Sequence, residues 1–162
     1  MGTPPFDQPT AAAIELSPSL PDWIHAHVQQ YLTDPAAAHD WDARSAGGSG
    51  VLPTLLLLTR GRRSGKTLTL PLIYKQIGDD FVVIASKGGA PAHPAWFLNL
   101  ETEARCAIQV GPAFHQGVAR VLAGQQRAAA WKEMATLFPP YDSYQERAGG
   151  REIPVVAIQP AG

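Results

Sequence analysis

The chain has 162 residues, enough for one well-buried core, and no break in composition argues for a second. Thirteen Lys and Arg against fourteen Asp and Glu leave a formal net charge of -1, which excludes a general electrostatic attraction to nucleic acid; any anion site has to be local. No apolar N-terminal run follows a basic region, and the run Leu55 to Leu58 is too short to span a bilayer, so a cytoplasmic protein is expected.

Residues 1–20 are rich in proline and weakly periodic, which predicts a flexible arm with one short helical piece near Ala11 to Leu16; the arm is left free to touch a membrane surface or to cover a site. A single domain is expected over 21–162. In "DWIHAHVQQYL" the residues Trp23, Ile24, His27, Val28 and Tyr31 recur at helical spacing, with Asp22 as N-terminal cap and Pro35 beyond the end. His25 and His27 are two apart, on different sides of such a helix, and read as surface residues. "HDWDARSAGGSGVLP" reads as a glycine-rich connecting loop, where His39, Asp40 and Asp42 lack a further ligand at metal-binding spacing; no metal is expected.

Strand signals then come in close succession. "TLLLLTR" is continuously apolar, "TLTLPLIYKQI" alternates, and "DFVVIAS" follows a short turn. "ARCAIQV" and "FHQGVARVL" flank "GPA" as a second hairpin, and "REIPVVAIQP" closes the chain. Cys106, the single cysteine, lies in an apolar alternating run and reads as a small core residue of a protein in a reducing compartment. Pro71 and Pro154 each lack an amide donor and belong at a strand edge or irregularity. Helical patterns lie between the strands in "HPAWFLNLE" and in "GQQRAAAWKEMATLF", where Trp131, Met134, Ala135 and Phe138 share a face. Six strands joined mainly by short hairpins predict an α+β fold, a split β-barrel of mainly antiparallel strands with flanking helices. "GRRSGK" has the wrong length for a phosphate-binding P-loop and joins strand to strand.

Three stretches carry chemistry. "TRGRRSGKT" concentrates Arg60, Arg62, Arg63 and Lys66 in a turn whose amides and Ser64 hydroxyl add donors for phosphate oxygens. In "ASKGGAPAHPAWFLNL", Ser86 and Lys87 end a strand, Gly88 and Gly89 let a flat ring or a phosphate approach the backbone, and Trp96 and Phe97 open a helix with an aromatic surface or join the core. In "LFPPYDSYQERAGGREIP", Tyr141 and Tyr144 are three apart on a short helix begun by the Pro-Pro pair and face one way.

In this order and at these separations, "TRGRRSGK…LPLIY", "ASKGGAPAHPAWFLNL" and "FPPYDSYQ…REIPVV" resemble the deazaflavin-dependent nitroreductase family, over about Trp41 to Pro160. The resemblance implies a split β-barrel that binds coenzyme F420, a flavin analogue with a phosphate and polyglutamate tail. It assigns Arg62, Arg63, Ser64 and Lys66 to that phosphate and tail. Pro71, Leu72 and Ile73 fall to the strand lining the ring, and Ser86, Lys87, Gly88 and Gly89 to the segment along ring and phosphate. Ala95, Trp96 and Asn99 fall near the cofactor. Ser86, Tyr141 and Tyr144 are the catalytic candidates on the acceptor side, where Ile73 and Phe138 stand in place of tyrosines found in some relatives. The implied activity is hydride transfer from reduced F420 to a quinone, enone or nitro compound. The alternative is a non-catalytic binding or carrier module for F420 or, less favoured, FMN. Haem finds no axial-ligand pattern, His93 being the one histidine near the implied site. The partner is a small hydride acceptor, and monomer and homodimer both remain open.

Overall fold

The computed structural model describes residues 5–10 and 20–161. The helical piece expected near Ala11 to Leu16 lies outside them. Helix α1 (Asp22–Thr33) starts behind Pro21, which takes the N-cap position expected of Asp22 and leaves it without a side-chain cap bond. Pro35 starts a second helix rather than simply following the first: α2 (Pro35–His39) is capped by the Asp34 carboxylate, which accepts from the Ala37 amide at 3.3 Å.

Among the described residues the strands number eight rather than the six expected. The presumed connecting loop contributes β1 (Asp40–Asp42), paired antiparallel with the start of β2 (Val51–Arg60). "TLTLPLIYKQI" divides at Tyr74 into β3 (Thr67–Ile73) and β4 (Lys75–Ile77). β5 (Asp80–Ile84), β6 (Arg105–Val110), β7 (Ala113–Val121) and β8 (Val155–Pro160) complete the sheet. The hydrogen-bonded order is β1-β2-β6-β7-β8-β5-β4, with β3 on β2, and every pair is antiparallel. Because β3 runs on through one residue into β4, the chain that leaves the β2 side pairs next with β5. This continuity curls the sheet into the expected split barrel.

Three buried clusters explain the apolar runs. Leu55 and Leu57 of β2, Phe81 and Val83 of β5, and Val156 and Ile158 of β8 fill the barrel with Trp96, Phe97 and Leu100 of helix α3 (Ala95–Thr102). The alternate residues Leu56 and Leu58 pack outward on Val28, Tyr31 and Ala38 of α1 and α2. Val82, Ile84, Val155 and Ala157 pack outward on Met134 and Phe138, at the end of α4 (Gly124–Leu137), and on Tyr141 of α5 (Pro140–Arg147). Strands covered on both faces lose the polar alternation of a half-solvated sheet, hence the unbroken "LLLL". Each such leucine gains roughly 1.5–3 kcal/mol from burial.

Helix α1 is seated by Tyr31, whose buried hydroxyl donates to the Thr54 carbonyl at 2.5 Å and accepts from the Gly111 amide at 3.2 Å. His27 is also buried, against the expectation of a surface residue, because α1 lies along the outer face of β2. Its Nε2 lies 2.9 Å from the Ala38 carbonyl and must donate to it. Burial lowers the imidazole pKa and keeps the ring neutral. Cys106 sits in the barrel core, where loss of solvent pushes its thiol up to about 12. Of residues 5–10, Phe6 is buried, and it exchanges two hydrogen bonds with the Gln116 amide.

Candidate active site

A cavity of about 250 Å³ lies between β3, the loop after β5, α5 and α1. It collects residues that the sequence placed in separate stretches: Pro71, Leu72 and Ile73 from β3, Ser86 and Gly88 from the loop, Tyr141 and Tyr144 from α5.

Strand parity sets what β3 offers to the cavity. The Tyr74 amide donates to the Pro53 carbonyl at 3.2 Å, so in the antiparallel alternation Leu72 and Leu70 also bond toward β2. The main-chain groups of Pro71 and Ile73 therefore point the other way, where β3 has no strand partner among the described residues. Pro71 costs no ladder bond there, as the edge position predicted. The Pro71 carbonyl and the Ile73 amide and carbonyl are left as open valences along an edge that borders the cavity.

The loop supplies the polar wall. Ser86 adopts φ -78° and ψ -38°, and Lys87 follows with φ 46°, the single positive φ outside glycine among the described residues. Right-handed then left-handed residues turn successive amides into one concavity, a shape that suits an anion. Gly89, with φ 82°, carries the loop under α5; a Cβ there would meet the Tyr144 carbonyl oxygen at 2.7 Å.

Helix α5 provides the roof. Pro140 occupies its first turn, and the Trp131 indole donates to the Asp142 carboxylate at 2.8 Å, tying α5 to α4. Tyr141 and Tyr144 do face one way, their rings 6.2 Å apart and nearly perpendicular. Burial drives the Tyr141 phenol well above its ordinary pKa, with the Tyr144 phenol adding to the shift. It keeps its proton at any physiological pH and can act only as a hydrogen-bond donor or acceptor. The hydroxyls of Ser86, Tyr141 and Tyr144 have no hydrogen-bond partner among the described residues. One cleft thus holds three free O–H donors.

The opposite wall was not read from the sequence. Trp23 stacks on Trp41 with ring centroids 5.9 Å apart and planes at 17°, and His27 stacks on Trp41 at 6.3 Å and 20°. All three border the cavity. The spacing of Trp23 and His27, four apart on α1, is the signal that could have found them. Trp41 arrives only through the β1–β2 pairing.

The remaining expected residues do not border this cavity. Arg62, Arg63, Ser64 and Lys66 form the β2–β3 turn, closed by the Gly61 amide to the Lys66 carbonyl at 2.7 Å. Asn99 is buried and ties the turn to α3: its Oδ1 accepts from the Arg62 amide at 3.1 Å and Nη1 at 3.4 Å, while Nδ2 donates to Thr59 Oγ1 at 3.0 Å. Ala95 is exposed at the start of α3. Trp96 and Phe97 are both core residues, so α3 presents neither ring to a ligand. Lys87 projects into solvent beside Ser86. Among the described residues no group of His, Cys, Asp and Glu is arranged to hold a metal, and no helix is long and apolar enough to cross a membrane.

An apolar cleft with open edge-strand valences fits a flat heterocycle, and the adjoining amide concavity, with Lys87 beside it, fits an anionic group attached to it. Fold and cleft together define a split barrel with room for such a cofactor, and the comparisons give its class. The sequence model of the family described as F420H(2)-dependent quinone reductase matches residues 36–160. An F420H(2)-dependent quinone reductase of Mycobacterium tuberculosis is 32% identical over 145 residues, covering 84% of this chain and 95% of that protein. The solved structure of an F420-H2 dependent reductase, FDR-A, is 34% identical with a TM-score of 0.61, covering 66% of this chain and 94% of that one. A second structure, described as a domain-swapped dimer, is 30% identical with a TM-score of 0.64, covering 85% and 98%. The chain belongs to the F420H(2)-dependent quinone reductase family. F420 dependence, implied by the resemblance, therefore stands at the level of the family; the acceptor that the family names is a quinone rather than a nitro compound.

Lys87 gives a first testable consequence. A left-handed backbone costs a non-glycine residue roughly 1–2 kcal/mol, partly offset by the extra unfolded-state freedom of glycine. Lys87→Gly is expected to raise the melting temperature by about 1–4 °C and, on the assignment of Lys87 to the cofactor that the resemblance implies, to weaken F420 binding by removing the ammonium. Calorimetry and a fluorescence titration measure the two effects; a lower melting temperature would show that the lysine conformation is unstrained.

Proposed function

We propose that this protein is a cytoplasmic oxidoreductase that transfers hydride from reduced coenzyme F420 to a quinone, with enones and nitro compounds as further electrophiles of the same shape. The observation that carries the reading is the set of three unpartnered hydroxyls, Ser86, Tyr141 and Tyr144, converging on an apolar cleft. When bound, the reduced deazaflavin supplies the hydride, and the chain supplies orientation and electrostatics.

Arg62 and Arg63 on the hairpin tip, with Ser64 and Lys66, hold the acidic tail and one side of the phosphate, and Lys87, with the Ser86 and Lys87 amides and the open backbone at Gly88 and Gly89, holds the phosphate from the ring side. The exposed main-chain groups of Pro71 and Ile73 bond the polar edge of the ring, and Leu72 packs beside it. Trp23 and Trp41 form the flat surface on which an aromatic acceptor stacks. Ser86 and Tyr144 donate hydrogen bonds to the acceptor oxygen as it gains charge, and Tyr141, fixed by its contact with Phe138, backs them. The apolar lining strengthens these bonds by keeping water out.

The test is to titrate the protein with oxidised F420 and with FMN by tryptophan quenching. Oxidation of F420H2 is then followed with a quinone, an enone and a nitroarene. F420 binding and quinone turnover are expected, with Tyr144→Phe and Ser86→Ala each lowering kcat about tenfold or more while F420 affinity is retained. Binding of FMN without F420 would overturn the reading. F420 binding without turnover of any acceptor would turn it into a carrier module.

A further inference from the structure

The loop from Ala85 to His93 is gathered round one side chain that the sequence reading passed over. Arg151 lies between α5 and β8. Its Nε donates to the Ala90 carbonyl at 2.9 Å, Nη1 to the Ala85 carbonyl at 3.1 Å, and Nη2 to the Ser86 carbonyl at 2.8 Å. Nη1 is also 3.0 Å from His93 Nδ1, which must accept, since a guanidinium has only donors. The arginine is itself held. Its amide donates to the Ala148 carbonyl at 3.2 Å, its carbonyl accepts from Gln145 Nε2 at 2.7 Å, and Gln145 Oε1 accepts from the Ile153 amide at 2.9 Å. Gln145 belongs to α5, so the fork that grips the loop is anchored to the tyrosine helix.

The consequence follows from the planar trans peptide, in which a carbonyl and the next amide point in opposite directions. Drawing the Ala85 and Ser86 carbonyls onto Arg151 turns the amides of Ser86 and Lys87 away from it. Those amides form the concavity generated by the Ser86 and Lys87 dihedral angles, and neither has an acceptor among the described residues. A lysine would bring a compact ammonium in place of a planar fork and could not satisfy three carbonyls in this geometry.

We propose that Arg151 is the positioning residue of the anion-binding loop: by collecting the carbonyls of Ala85, Ser86 and Ala90 it presents the Ser86 and Lys87 amides to the charged part of the cofactor. Naming that ligand rests on the F420 reading above; the orientation of the loop does not. The residue touches neither ring nor acceptor and acts through the backbone it holds.

The experiment compares wild type, Arg151→Ala and Arg151→Lys. Each is titrated with oxidised F420 and with its phosphate-free deazaflavin nucleoside, and amide hydrogen exchange at residues 86–88 is followed without ligand. Arg151→Ala is expected to weaken F420 binding about tenfold or more, by analogy with the loss when the group that orients a metal ligand is removed. The phosphate-free compound should bind almost as before, because the barrel and the ring-binding edge are untouched. Arg151→Lys should fall between, and guanidinium added below its denaturing range should restore part of the affinity lost in Arg151→Ala. Unchanged F420 affinity in Arg151→Ala, or equal loss of both ligands, would overturn the proposal. If wild type binds neither ligand, the F420 reading fails instead. The exchange data then decide alone: faster exchange at 86–88 in the variants supports the role of Arg151, and unchanged exchange refutes it.

Discussion

Gly89→Ala is expected to lower the melting temperature by roughly 5–12 °C and to abolish tight F420 binding. Two faults combine at this position. The backbone is left-handed, with φ 82°, which costs an alanine roughly 1–2 kcal/mol. The added Cβ would also lie 2.7 Å from the Tyr144 carbonyl oxygen and 2.9 Å from its Cα. These are main-chain atoms of α5, unable to swing aside as the end of a side chain can, so the loop or the helix has to shift. Overpacking of this kind costs a further 1–3 kcal/mol or so. Either shift moves the Ser86 hydroxyl relative to those of Tyr141 and Tyr144. Gly88→Ala is the control: its φ is 64°, but nothing lies within 4 Å of its Cβ position, so only the conformational cost applies. Equal melting temperatures for the two variants would show that α5 does not bear on the loop.

Asn99→Ala should be nearly as damaging, by about 2–4 kcal/mol in urea unfolding, for a different reason. The side chain is buried and bridges β2, the hairpin tip and α3. Removing it leaves the fully buried Thr59 hydroxyl without its donor and strips the Arg62 amide of its acceptor. A buried polar group left unpaired costs about 1–3 kcal/mol, well above the net value of the bond it lost. Arg62 also loses the contact that orients its guanidinium, so on its proposed role at the cofactor tail F420 affinity should fall about tenfold as well. Asn99→Asp keeps an acceptor for Arg62 and should retain more of that affinity. Full affinity in Asn99→Ala would mean that the hairpin tip holds its shape unaided.

These residues differ in how far the sequence revealed them. The turn "GRRSGK", the paired tyrosines behind Pro-Pro, and the glycines after Ser86 are local features. Their geometry follows from spacing, proline and the conformational freedom of glycine, and the structure shows the expected hairpin, helix and loop. The fold class was legible too, since short links between apolar runs leave antiparallel pairing as the economical arrangement. Asn99 was picked out by resemblance as a residue near the cofactor, whereas its contacts are those of a strut between hairpin and helix. Trp96 could be read as ligand face or core, and nothing local separates the two. The choice falls to which side of α3 meets the barrel.

Composition and periodicity by themselves determined one barrel with covered strands, a local rather than global positive site, and an aromatic helix near the C-terminus. The tertiary structure alone decided that Trp23 and Trp41 complete the cleft, that His27 is buried, and that Arg151 grips a loop some sixty residues earlier in the chain. The physical reason is that spacing along a helix or strand sets which way a side chain points, while its partner depends on how the sheet curls. That curl is fixed only by the sum of all strand pairings, with β3 passing through Tyr74 into β4.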